Sequence, residues 1–337
     1  MTSLLMQKFL IALALCASSP VSAFRFATWN LRYDSKPDNI TVAQSIAVIP
    51  NPLAPHPFYA VSGEQPWSTR RLYVTERVLS EGTALLSVQE ALVRQVNDLV
   101  ELLGNGWDYV GVGRNDGKTA GEYSAIFYRK DTFTLRSTDN FWLSNTPFEP
   151  SKFPGAGSIR ICTVGKFTTS DGVNVTIMNT HLDDSSDEQR RLGGSMLLYR
   201  ARYEAAVSGE PVLLSGDFNS PPTGTDSGAY EIVTGAIPPT SMNQSFVDKY
   251  AIPDGTPADF KMVDLQGQAP RLLVNRNFAT YTSFAGVDNT ASWSHIDFFL
   301  AGSTGGWSVT GYKVETALTD DGLLASDHRP VFVDVTV

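Results

Sequence analysis

Apolar residues along the chain gather into short β-branched and aromatic runs, each bounded by Gly, Asp, Asn or Pro. Such runs predict strands at Phe24–Leu31, Ala84–Val88, Tyr123–Tyr128, Ile159–Phe167, Val173–Asn179, Val212–Leu214, Ile296–Leu300 and Val331–Val337. Helical periods alternate with them. After Glu90, the residues Leu92, Val96, Leu99 and Leu103 recur at helical spacing and Gly104 stops the run. Ser186 and Gln189 have capping-box spacing, and Leu192, Met196, Tyr199 and Tyr203 form an apolar stripe behind them. Gly193 and Gly194 interrupt that second helix, at about 1 kcal/mol each, with no reason visible in the sequence. Residues 34–68 are Pro-rich and lack a period; they read as a long surface excursion near a site entrance. Residues 222–280 are similarly loose, with a few helical turns. No repeat or linker divides the chain, so one domain over 24–337 is expected, with mixed sheets covered by helices.

The first 23 residues change the picture. Lys8, the apolar run Phe9–Ala17 and the small residues Val21-Ser22-Ala23 read as a secretory signal peptide, leaving 314 of 337 residues. The apolar run is too short for an ordinary membrane span, so a secreted, soluble, monomeric protein with no membrane insertion is expected. Cys16 leaves with the leader, and lone Cys162 reads as a buried small hydrophobe. Sequons at Asn39, Asn174 and Asn243 fit a secreted glycoprotein. The formal charge of −9 counts against a dedicated binder of long nucleic acid and suits a small phosphorylated substrate at least as well.

Candidate chemistry sits at strand ends. "LLSGDFNSPP" runs an apolar strand into Asp217 and Asn219, which share a face if the chain stays extended and form a turn if it does not. Asn30 ends the first strand. Glu90 and His181 follow theirs, Glu122 stands at the head of "EYSAIFY", Asp297 precedes "FFL", and Asp327-His328 precede the final strand. The end of one strand lies beside the start of its antiparallel neighbour, so all of these can meet on one rim. His56 and His295 read as structural or surface residues.

"WN" in the first strand, "QE" after an apolar strand, "NTHLD" in mid-chain, "GDFN" and the terminal "SDHRPV" occur together and in this order. The constellation resembles the endonuclease/exonuclease/phosphatase superfamily, the group of deoxyribonuclease I and the abasic-site endonucleases. The resemblance spans Phe24 to Val337 and implies a four-layer α/β sandwich of two packed mixed sheets flanked by helices. "GVGRNDGKTAGEYSAIFYRKDTF…FWLSNTP" looks like a secreted branch of unassigned substrate. The lack of a disulfide pair and the 34–68 insert depart from deoxyribonuclease I.

The resemblance implies a phosphoric-ester hydrolase dependent on Mg²⁺, with Mn²⁺ as a substitute, acting on diesters before monoesters. Nucleic acid, sugar phosphates, inositol phosphates and phospholipid head groups are all open as substrates. Glu90 would be the main metal ligand, with Asn30 and Asp327 near it. Asp217 would orient or deprotonate the attacking water and Asn219 would hold that water or a phosphate oxygen. His328, oriented by Asp297, and His181, paired with Glu122, would contact the phosphate as imidazolium ions, since a carboxylate partner favours the charged ring. Arg160 is a further phosphate contact. A calcineurin-type metallophosphatase needs additional histidines in Gly-Asn-His and Gly-His-X-His settings, which are absent. A non-catalytic binding protein on this fold would be expected to lose some of Glu90, Asp217, Asn219 and His328, yet all are present.

Overall fold

A computed structural model describes residues 21–52, 54, 63–285, 289–316 and 318–337. Most of the leader, Cys16 and His56 lie outside the described residues. Two six-stranded sheets form the molecule. The first contains β1 (Ala23–Asn30), β2 (Leu85–Gln89), β3 (Trp107–Val110), β4 (Ile126–Arg129), β11 (Ser308–Val314) and β12 (Val331–Thr336), in the order β11-β12-β1-β2-β4-β3. The second contains β5 (Phe133–Trp142), β6 (Ile161–Thr169), β7 (Asn174–His181), β8 (Val212–Asp217), β9 (Met262–Asp264) and β10 (Asp297–Gly302), in the order β5-β6-β7-β8-β10-β9. Each sheet has one parallel pair, β1 with β2 and β7 with β8, bridged by a helical crossover; the other pairs are antiparallel.

Helices α2 (Trp67–Ser80) and α3 (Val93–Leu103) cover the first sheet through Trp67, Val74, Val96 and Leu99. Helices α4 (Asp187–Ser208), α5 (Gly228–Val233) and α6 (Gln244–Lys249) cover the second through Leu192, Met196, Val233 and Phe246. The result is the expected four-layer sandwich. The two glycines of α4 now have a reason: a Cβ on Gly193 would lie 2.9 Å from Leu182, and one on Gly194 would lie 3.0 Å from the backbone of Ala229. The helix cost is offset by close packing.

Every strand at the centre is buried on both faces, and the face between the sheets changes character along its length. Alternate residues share a face. Phe24 and Phe26 of β1, Leu85 of β2, Ile177 of β7, Leu213 of β8 and Phe299 of β10 form the apolar part of the inter-sheet core. Two and four residues further along each row come Thr28 and Asn30, Ser87 and Gln89, Asn179 and His181, Ser215 and Asp217; on antiparallel β10 the polar member is Asp297, two residues before Phe299. These buried polar groups bridge the sheets. Gln89 Nε2 donates to Thr28 Oγ1 (3.0 Å) and Asn179 Oδ1 (2.7 Å), and Ser215 Oγ donates to Ser87 Oγ (2.8 Å). The polar end of the sandwich is therefore fixed in register by side-chain bonds and opens into a cleft.

The 34–68 segment departs from the simple excursion expected. It carries a short helix, α1 (Val42–Ala47), and leads into α2, whose Arg70 and Arg71 are fully buried. Arg70 donates to the carbonyls of Leu31, Gln65 and Ala325, tying this segment to the ends of β1 and the loop before β12.

Candidate active site

Register brings the strand-end residues together. His181 pairs with Asp217 across β7–β8, and Asp217 pairs with Asp297 across β8–β10. Asp217 is the last residue of its strand, not a turn residue, and Gly216 before it sits at φ 142°, where a Cβ would be 2.0 Å from the Thr180 carbonyl oxygen. The chain then turns. Asn219 has φ 45° and its N–H donates to Asp217 Oδ1 (2.9 Å). Asn219 thus reaches the site through an Asx-type turn and does not share a strand face with Asp217. Glu90 is likewise held in left-handed backbone at φ 61°, strain of the kind that gathers at functional sites.

Asp217 is the hub. Its Oδ2 accepts from Asn30 Nδ2 (2.9 Å) and lies 3.5 Å from His181 Nε2 and 3.6 Å from His328 Nε2. Burial, with the Asp297 charge adding, pushes the Asp217 carboxyl up to about 7. On one side, His328 Nδ1 donates to Asp297 Oδ2 (2.9 Å), both groups being buried. Burial alone would lower the His328 pKa, but Asp297 and Asp217 outweigh it and hold the pKa well above the ordinary histidine value. The Tyr281 ring packs against the imidazole at 4.9 Å.

The other side differs from the expectation. Glu122 does not hold His181: its nearest oxygen is 3.9 Å from His181 Nδ1, which has no hydrogen-bond partner among the described residues. Arg114 takes that carboxylate instead, at 2.7 and 2.9 Å. Asn219 Nδ2 donates to the Leu182 carbonyl and faces His181 Nε2 (both 3.1 Å), so Nε2 accepts and the ring proton belongs on Nδ1. Burial, with the positive charges of Arg160, Arg114 and His328 adding, holds His181 well below the ordinary histidine pKa. His181 is neutral, not an imidazolium.

Arg160, expected as a phosphate contact, is buried. Its Nε and Nη2 pair with Asp183 (3.3 Å) and Asp184 (2.7 Å), while Nη1 has no partner among the described residues. Arg190 carries no signal in the sequence, because it lies in a helix with polar neighbours; it too is buried and stands in the cleft wall with Arg114, Arg160 and Arg32. The cleft measures about 600 Å³ and is also lined by Glu90, Glu122, His181, Asp217, Asn219, Asp327 and His328. Asp297 and Asn30 stand behind this surface.

Two groups could hold a cation. Asp217, Asp297 and His328 offer ligand atoms within 4.8 Å of one another, but His328 is bonded to Asp297 and held as an imidazolium, which has no lone pair to give a cation. Glu90 and Asp327 offer oxygen ligands at the cleft. Asp327 is raised by burial and by the Glu90 charge, against the pull of His328; a divalent cation between two such carboxylates would relieve that repulsion and finds the oxygen donors it prefers. Asn30 serves as a donor here: Nδ2 binds Glu90 Oε1 (3.0 Å) and Asp217, while Oδ1 accepts the Arg32 N–H (3.0 Å). The amide therefore lies beside Glu90, where it was expected, and positions that carboxylate, while its Oδ1 is bonded to the loop backbone.

A profile of the Endonuclease/Exonuclease/phosphatase family matches residues 27–328. The chain belongs to this family. Its members hydrolyse phosphoric esters. Among solved structures, an endonuclease/exonuclease/phosphatase from Bacteroides vulgatus is 28% identical, covering 93% of this chain and 98% of its own, with a TM-score of 0.70. A family protein from Bacteroides thetaiotaomicron is 25% identical over 94% of this chain and 98% of its own, with a TM-score of 0.68. A mannosyl-6-phosphatase from Bacteroides thetaiotaomicron is 25% identical over 93% of this chain and 99% of its own, with a TM-score of 0.66. No curated protein matches the chain significantly. No helix among the described residues is long and apolar enough to cross a membrane.

Proposed function

We propose that the protein is a secreted, Mg²⁺-dependent hydrolase of phosphoric monoesters, formed by one catalytic domain over 24–337. The observation that carries hydrolysis is the placement of the Asp217 carboxylate 3.6 Å from the His328 imidazolium, inside a cleft walled by arginines. The likeness to a mannosyl-6-phosphatase over nearly the whole of both chains moves the reading from diesters, favoured by sequence alone, to monoesters. The leader supports secretion.

Glu90 and Asp327 would hold the cation, which supplies charge neutralisation at the phosphate and Lewis-acid help for the leaving oxygen. Asp217, with a pKa close to neutral, accepts a proton from the attacking water, as a general base poised near working pH does. His328 donates through Nε2 to a phosphoryl oxygen and stabilises charge gathered there. Asp297 fixes its ring. Arg160 Nη1 offers a second donor, and His181, held by Asn219, offers Nδ1–H.

The test is hydrolysis of p-nitrophenyl phosphate, mannose 6-phosphate and bis-p-nitrophenyl phosphate by purified protein. Monoester turnover is expected to exceed diester turnover, to vanish with chelator and to return with Mg²⁺. Glu90→Gln is expected to raise the Mg²⁺ requirement. Faster turnover of the diester would overturn the monoester reading, and full activity in chelator would overturn the metal.

A further inference from the structure

We propose that Asp184 and Asp226 form a hydroxyl-binding subsite that selects a polyol or sugar as the carrier of the phosphate, an inference that rests on the monoester reading of the same cleft. Both side chains line the cleft and are more than half exposed. Each is clamped from behind by a buried arginine: Arg160 Nη2 donates to Asp184 Oδ1 (2.7 Å), and Arg190 Nη2 donates to Asp226 Oδ1.

Those two arginines share one anchor. Asp183 is fully buried. Its carboxylate accepts from the N–H groups of Gly157, Ser158, Ser185 and Ser186 at 3.0–3.1 Å and from Arg160 Nε at 3.3 Å. Its carbonyl accepts from Arg190 Nη1 (2.9 Å). An ordinary exposed ion pair has two flexible partners and contributes little. Here the cationic partner of each pair is buried, so each rim carboxylate is held in one orientation; the second oxygen of Asp184 is left for the cleft, and that of Asp226 carries only a long bond from Thr225 Oγ1 (3.3 Å).

A second observation points to a ligand. Arg160 is only 4% exposed and its Nη1 has no partner among the described residues, although the guanidinium stands in the cleft wall. The same guanidinium thus has one nitrogen, itself closed to solvent beneath the cleft wall, left to bond a phosphate oxygen, and holds Asp184 with another. A ligand filling both places carries hydroxyl donors close to its phosphate. Carboxylates accept hydrogen bonds from hydroxyls and repel further phosphates, so the rim favours a sugar phosphate and disfavours a nucleic-acid strand.

The experiment compares Asp184→Asn, Asp226→Asn and the double variant with the unaltered protein. Binding of mannose 6-phosphate and of inorganic phosphate is measured by calorimetry, and turnover of mannose 6-phosphate and of p-nitrophenyl phosphate by kinetics. The unaltered protein is expected to bind the sugar phosphate at least ten-fold tighter than inorganic phosphate. The double variant is expected to lose that surplus, about ten- to a hundred-fold for one or two charge-assisted hydrogen bonds, and to keep its turnover of p-nitrophenyl phosphate. Equal binding of the sugar phosphate and inorganic phosphate by the unaltered protein would overturn the subsite. So would a dinucleotide bound more tightly than the sugar phosphate, or an unchanged preference in the double variant with its melting temperature intact. Absence of monoester turnover in the unaltered protein, with the binding surplus present and sensitive to the double variant, would sink the monoester reading and leave the subsite standing.

Discussion

His181 and His328 stand on opposite sides of Asp217, 3.5 and 3.6 Å from the same carboxylate oxygen, yet carry opposite charge. Each lies at the end of an apolar strand or just before one, each is buried, and each has an acidic residue within reach. The difference lies in what else that acid touches. Asp297 pairs with no arginine or lysine among the described residues and gives its oxygen to His328 Nδ1. Glu122 is taken by Arg114, leaving His181 beside two arginines. Burial favours the neutral form of both rings; a directly bonded carboxylate reverses it on one side and nearby guanidinium groups reinforce it on the other. One cleft thereby holds a charged donor for developing phosphate charge and a neutral ring that leaves a proton-accepting base beside it undisturbed.

The largest effect on this contrast comes from removing its hub. Asp217→Asn is expected to lower kcat by about 10²–10⁴, the range for a general base, with the melting temperature held or raised because a buried carboxylate becomes neutral. An unchanged kcat would place the base elsewhere. Next, His328→Ala is expected to cost about 10²–10³ in kcat, as for loss of one preorganised charge-stabilising donor, and combining it with Asp297→Ala should add little, since residues acting as a unit are non-additive. Fully multiplicative losses would break the pair. The pH profile comes third. Asp217 must be deprotonated to accept a proton, so kcat should rise with pH through about 7. His328 must stay protonated, so kcat should fall again only well above the ordinary histidine range. Asp297→Asn removes the group that holds that proton and should move the alkaline limb to lower pH; an unmoved limb would detach His328 from it. The smallest effect is expected from His181→Ala, about five- to ten-fold for one neutral hydrogen bond.

Much of this is legible in the chain because strands alternate. Rows such as Phe26-x-Thr28-x-Asn30 and Leu213-x-Ser215-x-Asp217 place a polar residue at the same end of a buried face, and the repetition of that pattern from strand to strand marks a rim in the sequence itself. The pairing of Asp297 with His328 joins residues of different sheets; it is legible only through the family resemblance carried by the "SDHRPV" and "GDFN" motifs. What is not readable depends on contacts far apart in sequence. Arg114 lies eight residues before Glu122 on a turn whose closure, through the bridge between Gly113 and Tyr123, is a tertiary fact. Arg190 lies in a charged run at the start of α4 that reads as a solvated helix face. Helix α2 escapes the pattern because two of its buried positions are Arg70 and Arg71, which erase the apolar period; backbone carbonyls and, for Arg71, the Asp98 carboxylate and Ser45 hydroxyl supply their partners. Strand β5 escapes it because most of its central residues are polar and not buried.

The contrast between the two rings is tested most directly by ¹⁵N NMR of the imidazole nitrogens at pH 7, assigned with His181→Asn and His328→Asn. His328 should show two protonated nitrogens. His181 should show a neutral ring with its proton on Nδ1, and Arg114→Gln should raise its pKa by removing the competing charge and releasing Glu122. Two imidazolium rings, or a neutral His328, would contradict the account.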